Sequence, residues 1–224
     1  MTWIVFSRNR TFQLDACLAT MVANGNVDPK DVTVLHRYDA DLLPDLDRLR
    51  SYHPDITFVE EKVFRDQVLQ LVSAATEELS FATDDALVTR PIDRAAIKAC
   101  LAQERTVMTY SCRLGFNIDY CYPLNVKQPR PPGLTDDLSG TFFYPWKACD
   151  HDWSYPLSLD GHFYKRDLLL RLLPRLDFRN PNTMESAMAQ SARSRSWPVP
   201  CPGPTRLRRR NSQLSRKKRV SMLA

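Results

Sequence analysis

Over the first half of the chain, short apolar runs alternate with longer amphipathic stretches. Trp3 to Phe6 is a run of apolar residues of strand length. After the polar turn "SRNR", residues Leu14, Cys17, Leu18, Met21 and Val22 recur at i, i+3, i+4, i+7 and i+8. That is one face of a helix, and Gly25 in "NGN" supplies its stop. "DVTVLHRY" predicts a second strand, Asp39 to Arg50 a short helix with Pro44 near its start, and "ITFVEE" a third strand. Phe64, Val68, Leu71, Val72 and Ala75 form one face of a helix over Lys62 to Thr76. Leu79 to Thr83 predicts a fourth strand that runs straight into Asp84 and Asp85, and Pro91 opens a helix to Gln103. Strands alternating with helices predict an α/β fold: a Rossmann-type, mostly parallel sheet flanked by helices and joined by right-handed crossovers.

The pattern then changes. "TVMTYSCRLG" predicts one more strand, but the stretch from Asn117 to Tyr164 is rich in Pro and aromatic residues and has no helical period. A long irregular segment inside a compact domain is usually functional. Periodicity resumes in a helix from Tyr164 to Leu173, ended by Pro174. "NPNTMESAMA" starts a last helix with Asn182 or Thr183 as its cap.

Composition alters this picture mainly at the C-terminus. Of 31 Lys and Arg, ten lie beyond residue 191, where there is no Asp or Glu, so residues 1–191 carry 21 basic against 26 acidic groups. The expected division is therefore an acidic domain over 1–191 and a basic tail over 192–224. That tail is rich in Pro, Ser and Arg and too poor in apolar residues to offset its chain entropy, so it is expected to be disordered. Its "RLRRR" and "RKKR" clusters suit an anionic partner, and the alternative is an extension without a role. Six cysteines without a Cys-x-x-Cys pair predict reduced thiols and a cytoplasmic protein. No segment has the length of a membrane span.

In an open α/β sheet, ligands bind beyond the carboxyl ends of the strands. "SRNR" after the first strand, "HRY" after the second and Asp84-Asp85 after the fourth all fall there. Neighbouring carboxylates repel unless a cation, a basic side chain or water relieves them. Arg8 and Arg10 are suited to phosphate, and the helix beginning near Thr11 turns its positive end the same way. There is neither a Gly-x-Gly-x-x-Gly nor a phosphate-loop Gly-x-x-x-x-Gly-Lys, so dinucleotide and P-loop chemistry lose their main support. Paired carboxylates facing a diphosphate suit a hard cation, Mg²⁺ or Mn²⁺.

In order, "IVFSRNRTFQLDACL", "FATDDALV", "YPLSLDGHFY" and "FRNPNTMES" resemble a bacterial glycosyltransferase of the family-2 type with a GT-A fold, over residues 2–190. The resemblance implies transfer of a sugar from a nucleoside-diphosphate donor to an acceptor glycan or other hydroxyl. Ser7, Arg8, Arg10 and Asp84 would bind the donor. Asp84, Asp85 and His162 would hold the metal in place of an Asp-x-Asp motif. The match departs from that motif in having Thr83 at the first acidic position, and the basic tail begins where further folded chain is expected, as in a truncated version or one with an aberrant C-terminus. The alternative is a degenerate protein that binds nucleotide sugars, or an interaction partner, without transferring them. For transfer, a carboxylate must take the acceptor proton, and Asp150, Asp152 and Asp160 are the candidates. Asp160 leads because Gly161 beside it lets a substrate approach. "CDHDW" could suggest zinc but lacks a second ligand pair. Tyr144, Trp146, Trp153 and Tyr155 suit either sugar stacking or the core.

Overall fold

The computed structural model describes residues 1–103, 107–115, 117–132, 135–136, 141–193 and 205–208. Its first half runs β1 (Thr2–Arg8), α1 (Thr11–Ala23), β2 (Val32–Arg37), α2 (Leu43–Tyr52), β3 (Thr57–Glu60), α3 (Phe64–Ala74), β4 (Glu78–Thr83) and α4 (Arg94–Gln103). The second half contains β5 (Thr109–Ser111), a small hairpin of β6 (Tyr120–Cys121) and β7 (Val126–Lys127), then β8 (Thr135–Asp136) and β9 (Thr141–Tyr144). It continues with β10 (His162–Lys165), α5 (Arg166–Leu172), α6 (Pro181–Arg193) and β11 (Thr205–Arg208).

One sheet holds nine of these strands in the order β3-β2-β1-β4-β10-β5-β11-β9-β8. Strands β1 to β4 are mutually parallel, and only β10 and β9 run against the common direction. Because the chain moves outward from β1 through β2 to β3 and then returns to place β4 on the other side of β1, the strand order reverses between β1 and β4. That reversal opens a crevice at their carboxyl ends.

Alternation along the strands sorts the core into two layers, since successive side chains leave opposite faces of a sheet. Trp3, Val5, Val32, Val34 and Ala82 pack with Leu14, Cys17, Leu18 and Met21 of α1, Leu46 and Leu49 of α2, and Ile97 of α4. Ile4, Phe6, Leu35, Leu79 and Phe81 pack instead with Phe64, Val68 and Val72 of α3, Leu169 of α5 and Met184 of α6. Helices thus cover both faces. Each large apolar side chain buried in this way contributes about 1.5–3 kcal/mol.

Several local expectations are corrected. The helix expected from Tyr164 is preceded by a strand: His162, Phe163 and Tyr164 are buried in β10 between β4 and β5, and the helix begins at Arg166. The helix expected from Pro91 starts at Arg94, where Asp93 Oδ1 accepts from the Ala96 N–H at 3.0 Å. The cap of α6 is Asn180: its Oδ1 accepts from Thr183 N–H at 2.9 Å, while Thr183 Oγ1 accepts from Asn180 N–H at 3.1 Å. Val22 turns to solvent, whereas its four partners on α1 are buried. The stop at Gly25 is steric, because a Cβ there would lie 2.6 Å from the Met21 carbonyl oxygen. Beyond residue 191, α6 continues to Arg193, and Thr205–Arg208 form β11 between β5 and β9, an exception to a tail without regular structure. Cys201, "RKKR" and the last two arginines of "RLRRR" lie outside the described residues.

Candidate active site

Asp84 sits at the carboxyl end of β4, facing the end of β1 across the crevice, and is 5% exposed. Three donors converge on it. Ser7 Oγ donates to Oδ2 at 2.9 Å, the Arg8 backbone N–H to the same oxygen at 3.3 Å, and the Arg10 guanidinium to Oδ1 at 3.4 Å. Since the Ser7 hydrogen goes to Asp84, the Tyr38 hydroxyl donates to Ser7 Oγ, at 2.8 Å, so the end of β2 joins the same chain of bonds. Burial pushes the Asp84 carboxyl above its ordinary range; Ser7, the Arg8 N–H and Arg10 oppose the shift, and Asp85 adds to it.

The loop after β1 is fixed from a second direction. Asn9 adopts the left-handed conformation with φ 55°, which short polar side chains tolerate best, and its amide donates to Asp39 at 2.7 Å. Asp39 returns its backbone N–H to Asn9 Oδ1 at 2.9 Å. The next residue, Arg10, precedes α1, which has no side-chain cap and no acidic residue in its first turn, so its positive end is left uncompensated by α1 itself.

Asp85 is the more open carboxylate, with 46% of its side chain exposed. Its Oδ2 accepts from Arg10 at 3.2 Å, and one guanidinium therefore bridges both members of the pair. Thr83 links this pair to the next strand. Its hydroxyl lies 2.8 Å from Asp85 Oδ1 and 2.9 Å from Asp160 Oδ1, and its backbone N–H donates to Asp160 at 2.9 Å. Where an Asp-x-Asp motif would place an acid, this chain places a hydroxyl that spans two carboxylates. Cys17, beneath them on α1, reports the clustering: burial, then the charges of Asp84, Asp160 and Asp85, push its thiol up to about 12.

Ser7, Arg8, Arg10, Asp84, Asp85 and Asp160 are thus brought to one edge of the sheet, although Arg8 is exposed and contributes its backbone N–H rather than its side chain. His162 is set apart. Expected as a metal ligand, it is fully buried in β10, its Nδ1 donating to the Asp160 carbonyl at 2.9 Å, and burial lowers its pKa to about 4. Its Nε2 has no hydrogen-bond partner among the described residues. Among the described residues, no group of three His, Cys, Asp or Glu side chains forms a metal site, in "CDHDW" or elsewhere. Asp152, a rival base, is engaged by Gln128 at 3.0 Å and Arg113 at 3.4 Å. Asp150 is exposed at the start of a 3₁₀ turn, outside the bonds that join Thr83, Asp85 and Asp160. Tyr144, Trp146 and Trp153 are core residues, between 0 and 2% exposed. Gly161 has φ 66°, so its glycine serves the turn into β10. The reading of residues alone missed Asn9 and the bridging role of Thr83. An Asn in a tight polar turn was the available signal for the first, and nothing local signals the second.

No family model matches the sequence, and no curated protein does. Solved structures do. Staphylococcus aureus TarS 1–349 in complex with UDP aligns over 85% of this chain and 53% of its own, at 14% identity and a TM-score of 0.50. The fold is GT-A. Other solved GT-A structures include glucosyl-3-phosphoglycerate synthase from Mycobacterium tuberculosis with Mn²⁺, UDP-glucose and phosphoglyceric acid, at 13% identity over 84% of this chain and 62% of that one, TM-score 0.48. They also include a mannosyltransferase from Pyrobaculum calidifontis with GDP-Man and Mn²⁺, at 22% identity over 81% of this chain and 50% of that one, TM-score 0.43. The chain spans between about half and three-fifths of the length of these GT-A proteins. No helix among the described residues is long and apolar enough to cross a membrane.

Proposed function

We propose that this GT-A domain binds a nucleoside-diphosphate sugar between the ends of β1, β2 and β4 and transfers the sugar to a hydroxyl acceptor. The observation that carries the reading is the convergence of Ser7, Arg10, Asp84, Asp85 and Asp160 at the point where the strand order reverses. A structural neighbour solved with UDP supports the donor class.

The donor set of the acidic pair consists of hard oxygens, with Asp85 open to solvent, and so fits Mg²⁺ or Mn²⁺ better than a softer metal. Asp84 and Asp85 would hold the ion, which when bound would help neutralise the diphosphate. The buried imidazole of His162 does not belong to this set. The remaining work falls to the chain's own residues. Arg10 and the start of α1 offer positive charge to the departing diphosphate. Asp160 has its Oδ1 fixed by the Thr83 backbone N–H at 2.9 Å, and no described residue bonds its Oδ2. That oxygen would take the acceptor's proton as the acceptor oxygen bonds to the anomeric carbon and the bond from that carbon to the diphosphate breaks.

Calorimetric titration with UDP, GDP and their sugars, with and without Mn²⁺, tests the reading on wild type and Asp85→Ala. Binding of one nucleotide family, enhanced by Mn²⁺ in wild type but not in Asp85→Ala, is the expected result. A folded protein that binds none of them refutes it.

A further inference from the structure

Arg10 and a divalent ion need the same oxygens. The guanidinium lies 3.4 Å from Asp84 Oδ1 and 3.2 Å from Asp85 Oδ2, while Asp84 Oδ2 is already taken by Ser7 and the Arg8 N–H and Asp85 Oδ1 by Thr83. The oxygen on each carboxylate without another donor, Asp84 Oδ1 and Asp85 Oδ2, is the one that Arg10 holds, so a cation that bridges the pair through these oxygens must displace it. Its side chain is 51% exposed, so these contacts are solvent-screened and readily exchanged. Its backbone is fixed independently, the Arg10 carbonyl accepting from Leu14 N–H at 2.9 Å in the first turn of α1. The side chain can leave without disturbing the helix start.

We propose that Arg10 is an internal counter-cation that occupies the Asp84–Asp85 pair until a divalent ion displaces it. This rests on the donor-site reading and adds an order of events to it. Displacement frees a planar, five-donor guanidinium at the mouth of the crevice, where a diphosphate is the group best matched to its fork. Ion and donor then bind cooperatively, because the ion removes the carboxylates that compete with the donor for Arg10. The Thr83 backbone N–H keeps its bond to Asp160 throughout, so the exchange leaves the proposed base in place.

The test uses the full chain and Mn²⁺ alone, following the loss of the free-ion electron paramagnetic resonance signal without nucleotide. Replacing Arg10 by Ala or by Gln is expected to tighten Mn²⁺ binding about tenfold, the equivalent of one pKa unit of electrostatic interaction. Arg10→Lys keeps the charge and is expected to stay within about threefold of wild type, which separates charge from loss of packing. In a second arm, inorganic pyrophosphate is expected to bind wild type more tightly when Mn²⁺ is present, and Arg10→Ala is expected to lose most of that enhancement. The proposal is overturned if Arg10→Ala and Arg10→Gln bind Mn²⁺ no more tightly than wild type, or if none of these proteins binds it. Failure of the donor-site reading is read separately, as wild type that binds no nucleoside diphosphate or nucleotide sugar at all.

Discussion

Replacing Asp84 by Asn and by Ala should separate stability from donor binding. In the wild type the ionised carboxylate keeps three donors, at 2.9, 3.3 and 3.4 Å, yet burial still holds its pKa above the ordinary value of 3.8. Desolvation therefore outweighs the three favourable contacts, and the charge is a burden on the fold. The folded chain binds this proton more tightly than the unfolded chain. The group's contribution is then fully present below pH 3.8, is lost as pH rises through the raised folded value, and is unfavourable at pH 7. Asn keeps an oxygen for Ser7 and the Arg8 N–H and carries no charge to desolvate. Its stability at pH 7 is expected to stay within about 1 kcal/mol of wild type. Ala removes the acceptor from all three donors and is expected to lose about 2 kcal/mol, mostly from the buried Ser7 hydroxyl. With a urea slope of about 2 kcal/mol per M, the midpoint falls by about 1 M for Ala and by less than about 0.5 M for Asn. Both variants lose the negative charge, and both should show weakened Mn²⁺-dependent nucleotide binding by calorimetry. If Asn unfolds as early as Ala, the charge itself stabilises the fold and this reasoning is wrong.

Two further outcomes follow from the packing. Gly25→Ala brings a methyl group to 2.6 Å from a carbonyl oxygen and 2.9 Å from Val88, and is expected to destabilise by about 2 kcal/mol. That lowers the thermal midpoint by about 4–8 °C, and an unchanged midpoint would show that α1 can end otherwise. His162, held at about 4 by burial, stays neutral in the folded chain while the unfolded chain protonates near 6.5, so its contribution is complete above pH 6.5 and declines as pH falls towards 4. Thermal midpoints of His162→Phe measured between pH 7 and 4.5 should fall less steeply than those of wild type, and parallel curves would refute the assignment.

The parallel half of the sheet was legible because its signals are local. Apolar runs of strand length and the 3.6-residue spacing of Phe64, Val68 and Val72 each need only neighbouring residues to be read, and the polar groups at the strand ends then fall where the strand order reverses. β10 was not legible. "HFYK" joins the periodicity of α5 with no turn residue between them, and its strand conformation comes from pairing with β4 and β5, which are remote in sequence. The irregular aromatic stretch left two readings open for a related reason: Tyr144, Trp146 and Trp153 pack a core that short strands and 3₁₀ turns assemble without any helical period. At the site, residue types pointed to the Asp pair, Arg10 and Asp160. The bond from Thr83 to Asp160 depends on which strand lies beside β4, and that is a property of topology.

The insertion of β10 between β4 and β5 also bears on how the chain reaches its native state. During synthesis β1 to β4 can pair as they emerge, but one edge of β4 has no native partner until residue 165 has been made, and β5 waits for the same strand. An unpaired edge of Glu78, Leu79 and Ser80 is a template for other chains, so nascent or proteolysed fragments ending before Gly161 should aggregate more readily than the full chain. The strand that closes this edge follows directly from Asp160. The carboxylate proposed for catalysis therefore reaches its place only as β10 closes on β4, and any species that stalls before that step lacks that carboxylate at the crevice and is adhesive.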